Sequence, residues 1–243
     1  MNMEKAANKN HTPFYSLRYE RKFIFQHISL EDLINTVIFT NSFFFKEIYT
    51  KRTVNNIYFD DNNYSFYKKN VNGDGIREKY RIRWYNDQFS KIKNPTIEIK
   101  KKFGEVGDKF SHKLNNFETN IEFMNRDQVH SLFIKTLKET NHNQLINNFH
   151  ILHPSLYNSY ERKYFLSACE KFRITLDFNM NFFDPNSYSI RKTENLNKDI
   201  ILELKYDNEH DTESRILTQQ IGTRLSKNSK YVRGINTLKF LIS

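Results

Sequence analysis

Between Ile76 and Trp84 charged and apolar residues alternate: Arg77, Lys79, Arg81 and Arg83 share one parity, while Ile76, Tyr80, Ile82 and Trp84 share the other. A two-residue period puts alternate side chains on opposite faces of an extended strand, so this segment reads as a strand with one basic face and one apolar face. The pattern recurs along the chain. Thr96, Glu98 and Lys100 oppose Ile97 and Ile99, and Arg173, Thr175 and Asp177 oppose Phe172, Ile174, Leu176 and Phe178. Glu203 and Lys205 oppose Ile200, Leu202, Leu204 and Tyr206, and near the start Arg18, Glu20 and Lys22 alternate with Tyr19, Arg21 and Phe23.

Eight segments read as strands on this basis: 18–25, 53–60, 76–85, 95–102, 108–115, 159–167, 171–178 and 199–206. Asn72-Gly73-Asp74-Gly75 and the stretch from Gly104 to Gly107 supply turn chemistry between consecutive strands. Helical spacing predicts helices over 30–39 behind a Ser29 cap, over 125–140 and over 211–225. Mainly strands, with helices between groups of them, make the class α+β with an antiparallel sheet. No Pro-, Gly- or Ser-rich linker divides the chain, so residues 14–243 read as one domain behind a flexible tail, residues 1–13.

Aromatic residues reach 15%, with 22 Phe and 14 Tyr, which supports a large core although only 38% of residues are hydrophobic. The formal net charge of +10 favours an anionic partner. One cysteine, Cys169, excludes an intrachain disulfide and a cysteine zinc site. The polar amino terminus lacks the apolar stretch of a signal peptide, and no window approaches the ~18 apolar residues of a membrane span. A soluble, cytoplasmic protein is the expectation. The eight histidines are scattered, and Phe43-Phe44-Phe45 reads as core packing.

For any one strand the ordinary reading of a charged face is solvation. Taken together, these faces favour Arg and Lys, and a carboxylate stands two residues before a lysine at Glu98-x-Lys100 and Glu203-x-Lys205. If the sheet closes with these faces inward, the product is a barrel with a cationic lumen. Buried cations need partners, and a polyanion supplies them. Arginine offers forked contacts to phosphate oxygens and lysine a point charge, while Mg²⁺ takes carboxylate and phosphate oxygens together. Phosphoryl transfer asks mainly for in-line positioning and charge stabilisation. The expectation is a tunnel that binds the triphosphate of ATP, or a polyphosphate chain, with a divalent ion.

An ordered set of motifs narrows this: Tyr19-Glu20-Arg21-Lys22-Phe23, Arg81-Ile82-Arg83-Trp84-Tyr85, Glu98-Ile99-Lys100, Tyr160-Glu161-Arg162, Arg173-Ile174-Thr175-Leu176-Asp177, Glu203-Leu204-Lys205 and Ser229-Lys230-Tyr231-Val232-Arg233-Gly234. Together they resemble the catalytic domain of the vacuolar transporter chaperone, a polyphosphate polymerase of the triphosphate tunnel metalloenzyme (CYTH-like) superfamily. The resemblance implies a closed, eight-stranded antiparallel β-tunnel with helices packed outside. It also implies transfer of the ATP γ-phosphate to a growing polyphosphate chain with Mn²⁺ or Mg²⁺. By the same resemblance Lys22, Arg81, Arg83, Lys100, Arg162, Arg173 and Lys230 match catalytic tunnel cations. Lys113, Tyr160 and Lys205 match substrate-binding positions, Glu203 the metal-binding glutamate, and Glu98 a second metal contact or an ion-pair partner.

The superfamily's hydrolases and cyclases typically open with Glu-x-Glu-x-Lys, where this chain has Arg18-Tyr19-Glu20-Arg21-Lys22, a departure that suits the polymerase branch. The eukaryotic enzyme's regulatory domain and transmembrane helices have no counterpart in this sequence, so coupling to a membrane would need another polypeptide. ATP and polyphosphate are the expected partners. A metal-dependent triphosphatase and a non-catalytic polyphosphate binder are the alternatives, and nucleic acid is not expected because the basic residues interleave with buried strand positions.

Overall fold

The computed structural model describes residues 18–104, 106–140, 143–186 and 198–242; the expected tail, residues 1–13, lies outside them. Ten strands and six α-helices follow one another among the described residues. They are β1 (Arg18–Phe25), α1 (Leu30–Leu33) running into a π turn (Ile34–Ile38), β2 (Lys46–Asp60), α2 (Ser65–Asn72), β3 (Ile76–Tyr85), β4 (Lys91–Lys93) and β5 (Thr96–Phe103). Next come β6 (Val106–Lys113), β7 (Glu118–Asn120), α3 (Arg126–Glu139), α4 (Asn143–Phe149), β8 (His153–Leu166), β9 (Arg173–Phe183), β10 (Ile200–Asp207), α5 (Asp211–Ile221) and α6 (Lys230–Ile242). The eight segments with two-residue alternation become one antiparallel sheet in the order β1-β10-β9-β8-β2-β3-β5-β6, and β4 pairs with β7 apart from it.

The class is α+β, as the alternation implies, and the ladder among the described residues does not by itself show the expected closed ring of strands. It starts at β1 and stops at β6, with no backbone pairing between these edges among the described residues. Side chains bridge across instead: Lys100 Nζ on β5 lies 3.5 Å from a Glu20 carboxylate oxygen on β1. The curl follows from the right-handed twist of neighbouring strands and from register shifts in the long strands, at Glu47/Tyr49, Tyr49/Arg52 and Tyr58/Phe59 of β2 and at Ser159/Glu161 of β8.

Helices cover the convex face in two groups. Ile57, Phe59, Tyr80, Ile82 and Trp84 pack beneath Val129, Phe133 and Leu137 of α3 and Leu145 and Phe149 of α4. On the other half Phe23, Leu202, Leu204 and Ile174 meet Leu33 and Ile38 near the amino end and Leu217 and Ile221 of α5. α3 is held by the reciprocal Asn125–Gln128 capping box, and α1 by Ser29, whose hydroxyl accepts from the Asp32 backbone.

Three local expectations are corrected. Asn72–Gly75 is not a hairpin turn: Ser65–Asn72 is helical, and Gly73, at φ +77°, ends α2 in the left-handed conformation that glycine adopts cheaply. α5 stops at Ile221, where Gly222 plays the same part, short of the expected residue 225. Within Phe43–Phe45 only Phe45 is buried, and Phe44 is 73% exposed.

The largest departure is α6. It does not sit outside the sheet. Tyr231 and Ile235 pack against Val54, Tyr58, Leu156, Tyr160 and Ile201, which carry the concave face. Gly234 permits that approach, since a Cβ there would stand 2.4 Å from Leu156 Cδ2 and 2.7 Å from Phe182 Cδ1. Gly234→Ala should therefore destabilise the protein by about 1–3 kcal/mol, the usual cost of overpacking, although alanine favours a helix interior by about 0.5–1 kcal/mol. A urea midpoint at or above wild type would show that α6 does not depend on this contact.

Candidate functional site

The concave face and the amino end of α6 enclose a cavity of about 210 Å³. Nine cationic side chains line it, and only Glu20, Glu98 and Glu203 supply negative charge. The register explains how they meet. Across β1 and β10, Lys22 faces Glu203 and Glu20 faces Lys205, two cross-strand pairs of opposite charge. Across β8 and β9, Arg162 faces Asp177, and across β3 and β5, Arg81 faces Glu98.

Glu203 is the hub of the deepest part. Its carboxylate lies within 3.3 Å of Lys230 Nζ, 3.4 Å of Lys205 Nζ, 3.6 Å of Arg162 Nη2 and 3.7 Å of Lys22 Nζ. Burial pushes its carboxyl up, but Lys230, Lys22, Arg162 and Lys205 together hold it well below the usual carboxylate range. Behind it Asp177, fully buried, accepts from Arg162 Nε and Nη2 (the latter 2.7 Å) and pairs with Lys230 Nζ at 2.5 Å. Burial raises the Asp177 carboxyl, and the charges of Arg162 and Lys230 outweigh that and lower it. Burial works against the Lys230 charge, but the carboxylates of Asp177 and Glu203 outweigh it and raise the ammonium above its ordinary pKa. The Tyr160 ring is the floor, with Lys230 Nζ 4.9 Å and the Arg162 guanidinium carbon 5.4 Å from its centroid.

A second group surrounds Glu98, which takes Arg81 Nε at 2.5 Å, Lys109 Nζ at 2.7 Å and Arg83 Nη1 at 3.6 Å. Arg83 is further oriented by Asn56 Oδ1 at 2.9 Å and the Tyr160 hydroxyl at 3.4 Å. Glu98 thus forms ion pairs with three cations. Glu20 joins the two groups by holding Lys22 at 2.8 Å and Lys100 at 3.5 Å. Burial opposes its charge and Glu203 repels it, yet Lys22, Lys100 and Lys205 bring it down to about 2.

Of the residues selected from the sequence, Lys22, Arg81, Arg83, Lys100, Tyr160, Arg162, Glu203, Lys205 and Lys230 line the cavity. Arg173 and Lys113 do not. Arg173 starts β9, exposed, opposite Lys205, and Lys113 ends β6, exposed, opposite Thr96. The residue facing Lys100 across β5 and β6 is Lys109, not Lys113. Sequence reasoning also passed over Lys79, Glu20 and Ser229, which line the cavity, and Asp177 behind it. The parity of Lys79 with Arg81, and of Asp177 with Arg173, was a usable signal. Nothing in the alternation pointed to Ser229, because α6 has no part in it.

The family model described as the VTC domain matches residues 10–239. The chain belongs to the VTC-domain family. The match spans the ten strands and all but the last residues of α6, so every cavity-lining side chain of this VTC domain falls inside it. Among curated proteins no sequence match is found. Solved structures similar to this chain include a candidate adenylate cyclase from Vibrio parahaemolyticus, 11% identical with a TM-score of 0.48, the match covering 88% of this chain and 95% of that one. Another is a candidate adenylate cyclase from Bacillus halodurans, 17% identical with a TM-score of 0.49, covering 88% and 95%. A protein from Pyrococcus horikoshii is 14% identical with a TM-score of 0.45, covering 92% and 98%. No helix of the VTC domain, among the described residues, is long and apolar enough to cross a membrane.

The donor set of the VTC domain suits a hard divalent ion held partly by its ligand. Among the described residues no group of three or more His, Cys, Asp or Glu side chains could hold a metal alone. Glu203, 5% exposed with its carboxylate in the cavity wall, can supply one or two oxygens. Mg²⁺ is commonly bound in this way, through one or two carboxylates with phosphate oxygens and water completing the shell.

Proposed function

We propose that this VTC domain, residues 14–243 acting as one unit, is a polyphosphate polymerase that transfers the γ-phosphoryl group of ATP to the end of a polyphosphate chain. The observation that carries this reading is the charge balance of the cavity: nine cations against three carboxylates, each carboxylate already shared among several cations. Such an excess is costly when empty and is relieved by a polyanion. In this reading the curled sheet acts as a tunnel, and ATP as substrate places the protein in the cytoplasm.

Each group then has a task. Arg81 and Arg83, aimed by Glu98 and Asn56, grip phosphoryl oxygens in forked fashion. Lys22, Arg162, Lys205 and Lys230 surround the developing charge on the transferred group. Glu203 holds Mn²⁺ or Mg²⁺, which when bound neutralises and orients phosphate oxygens. No protein nucleophile is required, because the terminal oxygen of the acceptor chain attacks phosphorus and ADP leaves.

The test is incubation with ATP and Mn²⁺ while both polymer and orthophosphate are followed. Polymer formed by the wild type and lost in the Arg81→Ala/Arg83→Ala double variant is the expected result. Orthophosphate without polymer would move the reading to a triphosphatase on the same scaffold. Binding of polyphosphate without turnover would leave a binding module.

A further inference from the structure

Asn56 and Asn158, both 0% exposed, stand on the concave face without lining the cavity. They continue a row across the sheet. Arg83 on β3 faces Asn56 on β2, and Asn56 faces Asn158 on β8. Arg83 Nε donates to Asn56 Oδ1 at 2.9 Å, Asn56 Nδ2 to Asn158 Oδ1 at 3.3 Å, and Asn158 Nδ2 to the Asn181 carbonyl on β9 at 3.1 Å. This chain of hydrogen bonds can run in only one direction. A guanidinium only donates, so Asn56 must turn its oxygen to Arg83 and its NH₂ to β8. Asn158 must then turn its oxygen to Asn56, and its own NH₂ is left for a carbonyl. That carbonyl lies beside an irregularity: the pairing of β8 with β9 slips between Ser159 and Glu161, and Asn179 stands at φ +51°. A bulge interrupts the ladder, and at this one the Asn181 carbonyl accepts a side chain.

The neighbouring arginine is aimed differently. Arg81 Nε meets the Glu98 carboxylate at 2.5 Å, whereas Arg83 Nε meets a neutral amide oxygen. A carboxylate orients a guanidinium and also neutralises it; an amide orients it and leaves the charge for a ligand. The other contacts of Arg83 are long, Nη2 lying 3.4 Å from the Tyr160 hydroxyl and Nη1 3.6 Å from Glu98, so substrate oxygens can replace them. We propose that Asn158 is a positioning residue for Arg83: acting through Asn56, it fixes the guanidinium by Nε and keeps Nη1 and Nη2 for the anionic substrate. The inference rests on the polyphosphate reading above. Without Asn158 nothing holds the Asn56 NH₂ on the β8 side, and a turned amide would set one donor against another.

The test is a double-mutant cycle on tripolyphosphate affinity, read by calorimetry well below each protein's melting temperature, with Asn158→Leu, Arg83→Met and the double variant. Asn158→Leu should weaken binding by about 3- to 10-fold, the worth of one hydrogen bond. In the Arg83→Met background the same substitution should change affinity hardly at all. Asn56→Asp, which keeps an acceptor for Nε but adds a charge, should weaken binding by about 10-fold or more. In the wild type, without ligand, nuclear magnetic resonance should show the side-chain NH₂ groups of Asn56 and Asn158 exchanging slowly with water. An equal loss in both backgrounds would make Asn158 a packing residue only and overturn the proposal, as would no loss in either. Fast exchange of either amide would overturn it whether or not the variants fold, and Asn56→Asp binding as tightly as wild type would overturn the role of the neutral oxygen. Wild type that binds no tripolyphosphate, with both amides slow to exchange, would overturn the functional reading and the proposal with it.

Discussion

Asp177→Asn is expected to lower folding stability by about 3–5 kcal/mol, the usual effect of removing one partner from a buried ion pair. The substitution keeps the volume and takes away the charge that Arg162 and Lys230 share, leaving both cations to Glu203 alone. Arg162 is only 8% exposed, so water cannot take over. The urea midpoint should fall with little change in slope. Added tripolyphosphate should recover more stability in the variant than in wild type, because the ligand replaces a missing anion. The sign with pH follows from the depressed carboxyl. Its stabilisation is complete above the ordinary aspartate pKa of about 3.9 and is lost as pH falls below it. Wild type should therefore weaken in acid more steeply than the variant. A loss under about 1 kcal/mol would place Asp177 among weak, solvated ion pairs.

Glu203→Gln is expected to cut metal-dependent turnover on the order of 10²–10³-fold, the size seen when one preorganised electrostatic group is removed from a reaction site. Its binding effect should run the other way. Four cations now share Glu203, and neutralising it frees them for phosphate oxygens. Tripolyphosphate binding in the presence of a chelator should tighten or stay level while the Mn²⁺ dependence of phosphoryl transfer disappears. A parallel fall in chelator-treated binding and in turnover would mean that Glu203 organises the lysines and arginines and holds no metal.

Much of this was legible in the chain. Two-residue alternation located all eight strands of the main sheet, because burial on one face imposes that period whatever the tertiary context. It also put Arg81, Arg83, Glu203 and Lys205 on the face that forms the cavity, whereas Arg162 was reached only through the family resemblance. Turn and helix chemistry was read less well. Asn72–Gly75 suits a hairpin and a helix end equally, and only the packing of Phe66 and Tyr67 beside Tyr80 and Tyr231 selects the helix.

Tertiary structure alone decided three things. Register chose Lys109 over Lys113 opposite Lys100, since a parity argument assigns a face but not a partner. The course of the chain between β10 and the carboxy terminus brought α6 onto the concave face, where Gly234 removes the Cβ that would keep it away and Ser229 and Lys230 reach the charged strands. Among the described residues no backbone ladder joins the sheet edges β1 and β6, and the side-chain bridge on that side runs from Glu20 of β1 to Lys100 of β5, an outcome that depends on summed twist and bulges. Period and parity are local properties that each strand carries by itself; register, helix seating and closure depend on contacts between residues far apart in sequence, so they appear only when the whole chain is packed.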